Sequence, residues 1–274
     1  MTAFGLVLAF ASGASPAQAQ GTNAKEAQVW GLEALHRGFC VQFLIGGATL
    51  ARELPEGTRP LSASQVSDLH PALRSVVEGQ PEYAAWTPSD LCLFYFEAVD
   101  ARGQRVHDEN PSKAPMLALW TVPVADSQSR SGRDLALEVA TNSGRLERSG
   151  NLAGLEIKRE RSSIAPVPPN EEGVPSGLDR YRFRIRGTQF IWDGRPAADS
   201  ARVDAPLARE WRQVGRRRDW VTGKLTLAPE WSRAMIGSLK VEGKDDLAKM
   251  LKASPIRFVG PAYYGGAGSF EFAR

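Results

Sequence analysis

Short apolar runs broken by Gly, Pro and Asp dominate this chain, and most alternate with polar residues. Alternation with a period of two marks a half-buried β-strand. In the first half, residues 39–45, 91–99, 116–124, 135–141 and 152–161 read as strands. The last places Leu155 and Ile157 on one face and Glu156 and Lys158 on the other. Asp100-Ala101-Arg102-Gly103 reads as a hairpin turn into a short strand ending at His107. In the second half, residues 179–186, 188–192, 219–227, 235–241, 256–259 and 269–273 read as strands.

Helical spacing is rarer. Residues 27–36 place Trp30 and Ala34 one turn apart, with Leu32 and Leu35 close by, and Gly38 stops the segment. Ser67 or Asp68 caps a short helix through Leu69, Leu73, Val76 and Val77, with Pro71 in its first turn. Residues 81–86 read as a further helical turn. Asp204 caps a short helix with Leu207, Trp211 and Val214 along one side. The strongest helix is 244–253. Asp245 and Asp246 suit its N-terminal end, Lys249 and Lys252 its C-terminal end, and Leu247, Met250 and Leu251 form its apolar face.

Together these elements predict a mainly β protein with antiparallel, sandwich-like lobes and a few short helices, a minor α+β character. A Pro- and Gly-rich segment, 163–177, separates a β-rich first lobe, 20–162, from a mixed second lobe, 178–274. Residues 1–19 read as a signal peptide, because an apolar run precedes the small-x-small motif Ala17-Gln18-Ala19. The expected location is therefore exported, periplasmic or extracellular. No later apolar stretch is long enough to span a bilayer as a helix, which leaves only peripheral membrane contact. Cys40 and Cys92 each sit in an apolar strand run, and in an exported chain they most simply form one disulfide.

The familiar catalytic signatures are missing. The sequence has no G-x-S-x-G, S-x-x-K, H-E-x-x-H or Walker loop. Gly265, Gly266 and Gly268 lack dinucleotide-binding spacing and read as a hairpin turn. His36, His70 and His107 are isolated from one another and from both cysteines, so no metal site is expected. His70 reads as a helix-start residue, His36 as a partner of a helix C-terminus, and His107-Asp108-Glu109 as exposed loop charge. No catalytic residue and no cofactor follow from this reading.

Charge supplies the one constellation with direction. Residues 179–186 alternate, with Tyr181, Phe183 and Ile185 on one face and Arg180, Arg182, Arg184 and Arg186 on the other. Between 178 and 233 there are twelve Arg and one Lys against five Asp and two Glu, a balance of +6 where the whole chain carries +3. Arg216, Arg217 and Arg218 add a second basic cluster, and Trp192 lies nearby as an aromatic anchor. Arginine suits bidentate contact with carboxylate or phosphate groups. The function expected is thus a soluble, non-enzymatic binding or assembly component of the cell envelope. It would dock an acidic protein surface or an anionic envelope component through its Arg-rich face, with no role for nucleic acid. A secreted, glycan-directed hydrolase with dispersed carboxylates and an accessory subunit of a membrane-associated complex are the alternatives.

Overall fold

Strand β1 (Gln28–Ile45) is the spine of the molecule. The computed structural model describes residues 28–67, 69–107, 114–126, 129–168 and 177–273. The signal-peptide expectation for 1–19, and Asp108 and Glu109, lie outside the described residues. After β1 come β2 (Thr58–Pro60), β3 (Thr87–Ala101), β4 (Gln104–His107), β5 (Met116–Asp126), β6 (Ser129–Thr141), β7 (Ile157–Arg159) and β8 (Ser162–Pro166). The second half supplies β9 (Asp179–Ile185), β10 (Thr188–Arg202), β11 (Leu207–Val214), β12 (Trp220–Ala228) and β13 (Trp231–Glu242). The last three are β14 (Arg257–Val259), β15 (Ala262–Gly265) and β16 (Ala267–Ala273). Four helices interrupt them: α1 (Gly47–Leu50), α2 (Pro71–Gly79), α3 (Gly144–Ala153) and α4 (Asp246–Lys252). None is long and apolar enough to cross a membrane. The mainly β class holds.

The ladder order closes a ring. β3, β5, β6, β11, β12, β16 and β1 pair in succession, and β1 pairs back onto β3. Closure removes the free edges along this circuit. Inside the ring lies one core: Trp30 and Leu32 of β1, Phe94 and Phe96 of β3, Trp211 of β11, Leu225 of β12, and Phe270 and Phe272 of β16. Trp211 sits directly opposite Gly223 across the β11–β12 ladder. A Cβ at that glycine would meet the indole at 2.6 Å, so the ring lies over bare backbone. β15 carries the sheet from β1 to β13, β10, β9 and β8, which form a second layer. A second core fills the space between the layers. Phe39, Val41, Phe43, Tyr95 and Trp120 come from the barrel wall, and Tyr181, Phe183, Phe190 and Trp192 from the second layer.

The two faces of β1 serve both cores. Trp30 and Leu32 face the barrel interior, while Phe39, Val41 and Phe43, on the other side of the alternation, face the second core. One irregularity interrupts the period: Ala34 adopts φ 45°, and the register against β3 shifts between Leu35 and Arg37. There Leu35 joins Trp30 and Leu32 on the barrel side. This corrects the helix expected over 27–36, and places His36 in a strand rather than at a helix end. The uneven spacing of Trp30, Leu32 and Leu35 belongs to a bulged strand. The helix expected after Asp204 is likewise strand β11. Residues four apart, such as Leu207 and Trp211, share a face in a strand as well as in a helix. Residues 152–161 split between the end of α3 and β7.

The ladder crosses the expected boundary between the two lobes. β1 hydrogen-bonds to β3 of the first segment and to β14, β15 and β16 of the last, so both halves build one sheet. Part of the expected linker is strand β8, paired with β9. Helix α4 matches its expectation, with Asp245 as the cap: its Oδ1 accepts the N–H of Ala248 at 2.8 Å.

Candidate functional site

The Arg-rich face comes first, because the sequence pointed there. Alternation in β9 is as expected, but two of the four guanidinium groups are consumed internally. Arg180 donates to both carboxylate oxygens of Asp193 on the neighbouring β10, at 2.6 and 2.7 Å. Arg186 donates to Glu138 at 2.8 Å, to Glu53 at 2.7 Å and to the carbonyl of Leu137 at 3.1 Å, and lies over the Trp120 ring. Arg182 and Arg184 are exposed and line a broad groove of about 1000 Å³ with Arg159 and Arg161. Arg216, Arg217 and Arg218 occupy the exposed turn between β11 and β12. Trp192 is only 3 % exposed, within the second core, and so is no surface anchor. Its indole lies against Gly194, where a Cβ would approach within 2.5 Å.

Arg186 belongs to a buried charge cluster. The β9–β10 hairpin turns through Arg186 at φ 50° and Gly187 at φ 88°, the two-residue turn that matches strand twist. That conformation is uncommon for a side chain other than Gly, Asn or Asp. Here it aims the guanidinium at Glu138, which is 2 % exposed and also accepts from Lys158 at 3.2 Å. Burial alone would lower the Arg186 pKa; its bonds to Glu138 and Glu53 outweigh this and raise it. Glu160 lies beside the cluster. Burial pushes its carboxyl up, the N–H of Arg186 opposes this, and the charge of Glu138 adds to the rise.

The folded state therefore holds the Glu160 proton more tightly than the unfolded chain does. Its contribution to stability falls as pH rises from the ordinary value of 4.5 through the folded one. Glu160→Gln is expected to stabilise the protein near pH 7, with the gain vanishing near pH 3. Urea melts at both pH values check this, and an equal effect at both would refute it.

A more enclosed and more apolar space than this groove lies elsewhere, at the barrel mouth. A cavity of about 370 Å³ is lined by Cys40, Gln42, Phe94, Leu207, Leu225, Leu227 and Tyr263, among others. β1 turns Cys40 and Gln42 toward it, on the same face as Trp30 and Leu32. In β11 the same alternation that buries Trp211 and Gln213 brings Arg209 to the cavity rim. Arg209 forms an ion pair with Asp90, N to O 3.3 Å, and keeps 41 % of its side chain exposed. Tyr263 reaches the wall from β15, and burial raises its phenol pKa against the opposing pull of Arg209.

His70 completes the wall from the start of α2. Its Nδ1 accepts the N–H of Ala72 at 3.2 Å, and its ring packs on Phe258 with centroids 4.9 Å apart. The expected helix-start role is thus correct, and Nε2 is left as the ring's donor. The cap is His70 itself, rather than Ser67 or Asp68. Cys40 and Cys92 face each other across β1 and β3 and form the expected disulfide, and Cys40 is among the cavity-lining residues. Among the described residues no three His, Cys, Asp or Glu side chains converge as metal ligands. Among the described residues no lysine lines this cavity.

Sequence reasoning passed over Gln42, Arg209 and Tyr263. Each occupies an ordinary strand position, and no short motif joins them. The one available signal was a polar residue at an inward-facing position, and reading it requires knowing that 28–45 is a strand.

No protein-family model matches the chain, and no curated protein matches it in sequence. Solved structures do. Acetoacetate decarboxylase from Legionella pneumophila subsp. pneumophila str. Philadelphia 1 superposes with a TM-score of 0.50 at 8 % identity, over 89 % of this chain and 84 % of that one. The chain shares that fold. An acetoacetate decarboxylase-like enzyme from Sphingomonas wittichii RW1 gives 0.43 at 11 % identity, over 90 % and 91 % of the two chains. The enduracididine biosynthesis enzyme MppR complexed with pyruvate gives 0.44 at 11 % identity, over 93 % and 91 %.

The likeness to the decarboxylase corrects the functional expectation. The solved structure that shares this fold is a decarboxylase, and the expectation of a non-enzymatic binding or accessory protein is set aside. The internal pairing of Arg180 and Arg186 and the burial of Trp192 are the physical reasons that the Arg-rich face misled.

Proposed function

We propose that this protein is an enzyme acting on a small organic acid that carries an oxo group, held in the barrel-mouth cavity. The observation that carries this reading is the composition of that cavity. Its walls are largely apolar, with a guanidinium at the rim and a phenol made a weaker acid by burial. Such pockets, with few convergent polar groups and a perturbed acid, are the usual form of small-molecule sites. Arg209, steadied by Asp90, receives the carboxylate. Tyr263 stays protonated through neutral pH and donates to the carbonyl oxygen, stabilising the negative charge that collects there when a bond to the α-carbon breaks. The Nε2–H of His70 is a second donor on the same wall. An amine route through a carbonyl adduct needs a desolvated lysine, and the described wall has none. The acetoacetate decarboxylase that shares the fold is named for a keto acid, which is consistent with this substrate class.

The test is calorimetric titration with pyruvate, acetoacetate and longer oxo acids, followed by turnover assays on those that bind. Arg209→Met is expected to weaken binding about ten-fold or more, since it removes a charge-assisted hydrogen bond. Tyr263→Phe is expected to leave affinity near wild type and to cut turnover by about a hundred-fold, the loss typical of one oxyanion donor. Because the phenol is raised above its ordinary value of 10.0, the wild-type rate is expected to hold as pH rises to that value. Saturation by no oxo acid, or binding indifferent to Arg209, would overturn the reading.

A further inference from the structure

Arg182 and Arg184 are the members of the Arg-rich strand that internal pairing leaves over. Both are exposed, and with Arg159 and Arg161 they border the groove of about 1000 Å³. The N–H of Arg184 donates to the carbonyl of Arg161 at 3.2 Å, and Arg182 stands opposite Ser163 in the β8–β9 ladder. Arg161 and Arg184 are therefore direct cross-strand neighbours on one face. Arg182 lies two residues along β9 on that same face, roughly 7 Å away by strand rise. Like charges set opposite one another destabilise a sheet. No ion pair among the described residues involves any of these four arginines. Glu160 is the one acid on the described wall, and its carboxylate accepts the N–H of Arg186. Glu242, which acts on Arg182 through space, is paired with Lys240 at 2.6 Å. Arg159 adds a charge in an equally unfavourable place. A Cβ at Gly144 would meet its Nη1 at 3.2 Å, so the guanidinium lies beside the first residue of α3. The N-terminal end of a helix is positive and disfavours a cation. Such a grouping repels itself in isolation and becomes favourable around a polyanion.

We propose that this groove binds a small molecule carrying at least two phosphate units, at a site separate from the barrel-mouth cavity. The two sites share no lining residue. A terminal phosphate presents three oxygens, enough for the forks of Arg161, Arg182 and Arg184 together, whereas a carboxylate presents two. Arg159 and the start of α3, whose cap Ser143 is on the groove wall, suit a second phosphate. The site stands whether or not the barrel-mouth cavity takes an oxo acid.

Calorimetric titration of the full chain with inorganic pyrophosphate, tripolyphosphate and citrate, in about 0.15 M salt, tests this. One pyrophosphate or tripolyphosphate is expected to bind per chain, about ten-fold more tightly than citrate. Arg182→Gln with Arg184→Gln is expected to weaken that binding about ten-fold or more. Arg216→Gln with Arg217→Gln removes the same charge from the exposed β11–β12 turn and is expected to leave binding unchanged. Without ligand, Arg184→Gln is expected to unfold at the same or a higher urea concentration than wild type, because repulsion by Arg161 is relieved. Four results would each overturn the proposal: no saturable binding of either phosphate compound, citrate binding as tightly, equal losses in the two double variants, or a lower urea midpoint for Arg184→Gln. The last would make the arginine a brace of the fold. None of them touches the oxo-acid reading, which oxo-acid titration and Arg209→Met report separately.

Discussion

Removing the Cys40–Cys92 disulfide is expected to lower the stability of this protein by about 4 kcal/mol. The two residues are 52 apart in sequence, so the bridge closes a long loop in the unfolded chain. In the chain-entropy account, that loop is the main source of the stabilisation. The bridge also joins β1 to β3, the pairing that closes the barrel ring. Urea denaturation of the oxidised protein, the dithiothreitol-treated protein and a Cys40→Ala/Cys92→Ala variant measures the effect. Both reduced forms are expected to unfold at clearly lower urea, with the slope of the transition altered because the unfolded chain expands. Coincident curves would mean that the unfolded chain gains little freedom when the bridge is absent. Because Cys40 lines the cavity, the reduced protein is also expected to bind organic acids more weakly.

Arg186→Ala is expected to cost about 3 kcal/mol. Glu138 is buried, one of its oxygens already lacks a partner, and Arg186 holds the other. Truncating Arg186 leaves that carboxylate with Lys158 alone on Oε2, at 3.2 Å. The loss reflects a stranded charge rather than the strength of the pair, since desolvation offsets much of the Coulomb attraction in buried bridges. The pair Arg186→Met with Glu138→Leu is therefore expected to recover most of the loss. A double-mutant cycle by urea melts measures the coupling. A cost for Arg186→Ala below about 1 kcal/mol, as at a solvated surface pair, would refute this account.

The Arg-rich strand illustrates how far local pattern carries. Its alternation correctly put Tyr181, Phe183 and Ile185 in a core and the arginines on the opposite face. It could not reveal that Asp193, Glu138 and Glu53, from three other parts of the chain, would meet Arg180 and Arg186. Helix α4 was legible because its cap, its end charges and its apolar face all lie within a few residues. β1 was misread because a bulge near Ala34 breaks the period on which recognition depends. β11 was misread because its apolar spacing is shared by helix and strand.

Sequence sufficed wherever the deciding interaction was short-range. Strand content, the turn after Asp100, the start of α2 near His70 and the C-terminal helix follow from neighbours a few residues apart. The cysteine pair also followed, since two thiols leave one partner each. Closure of the ring, the fusion of both halves into one sheet, and the meeting of Gln42, His70, Arg209 and Tyr263 around one cavity belong to the folded molecule. These depend on which apolar face packs against which. Alternation fixes that a strand has two faces, but only the packed whole, in which every buried surface finds its complement, decides what each face meets.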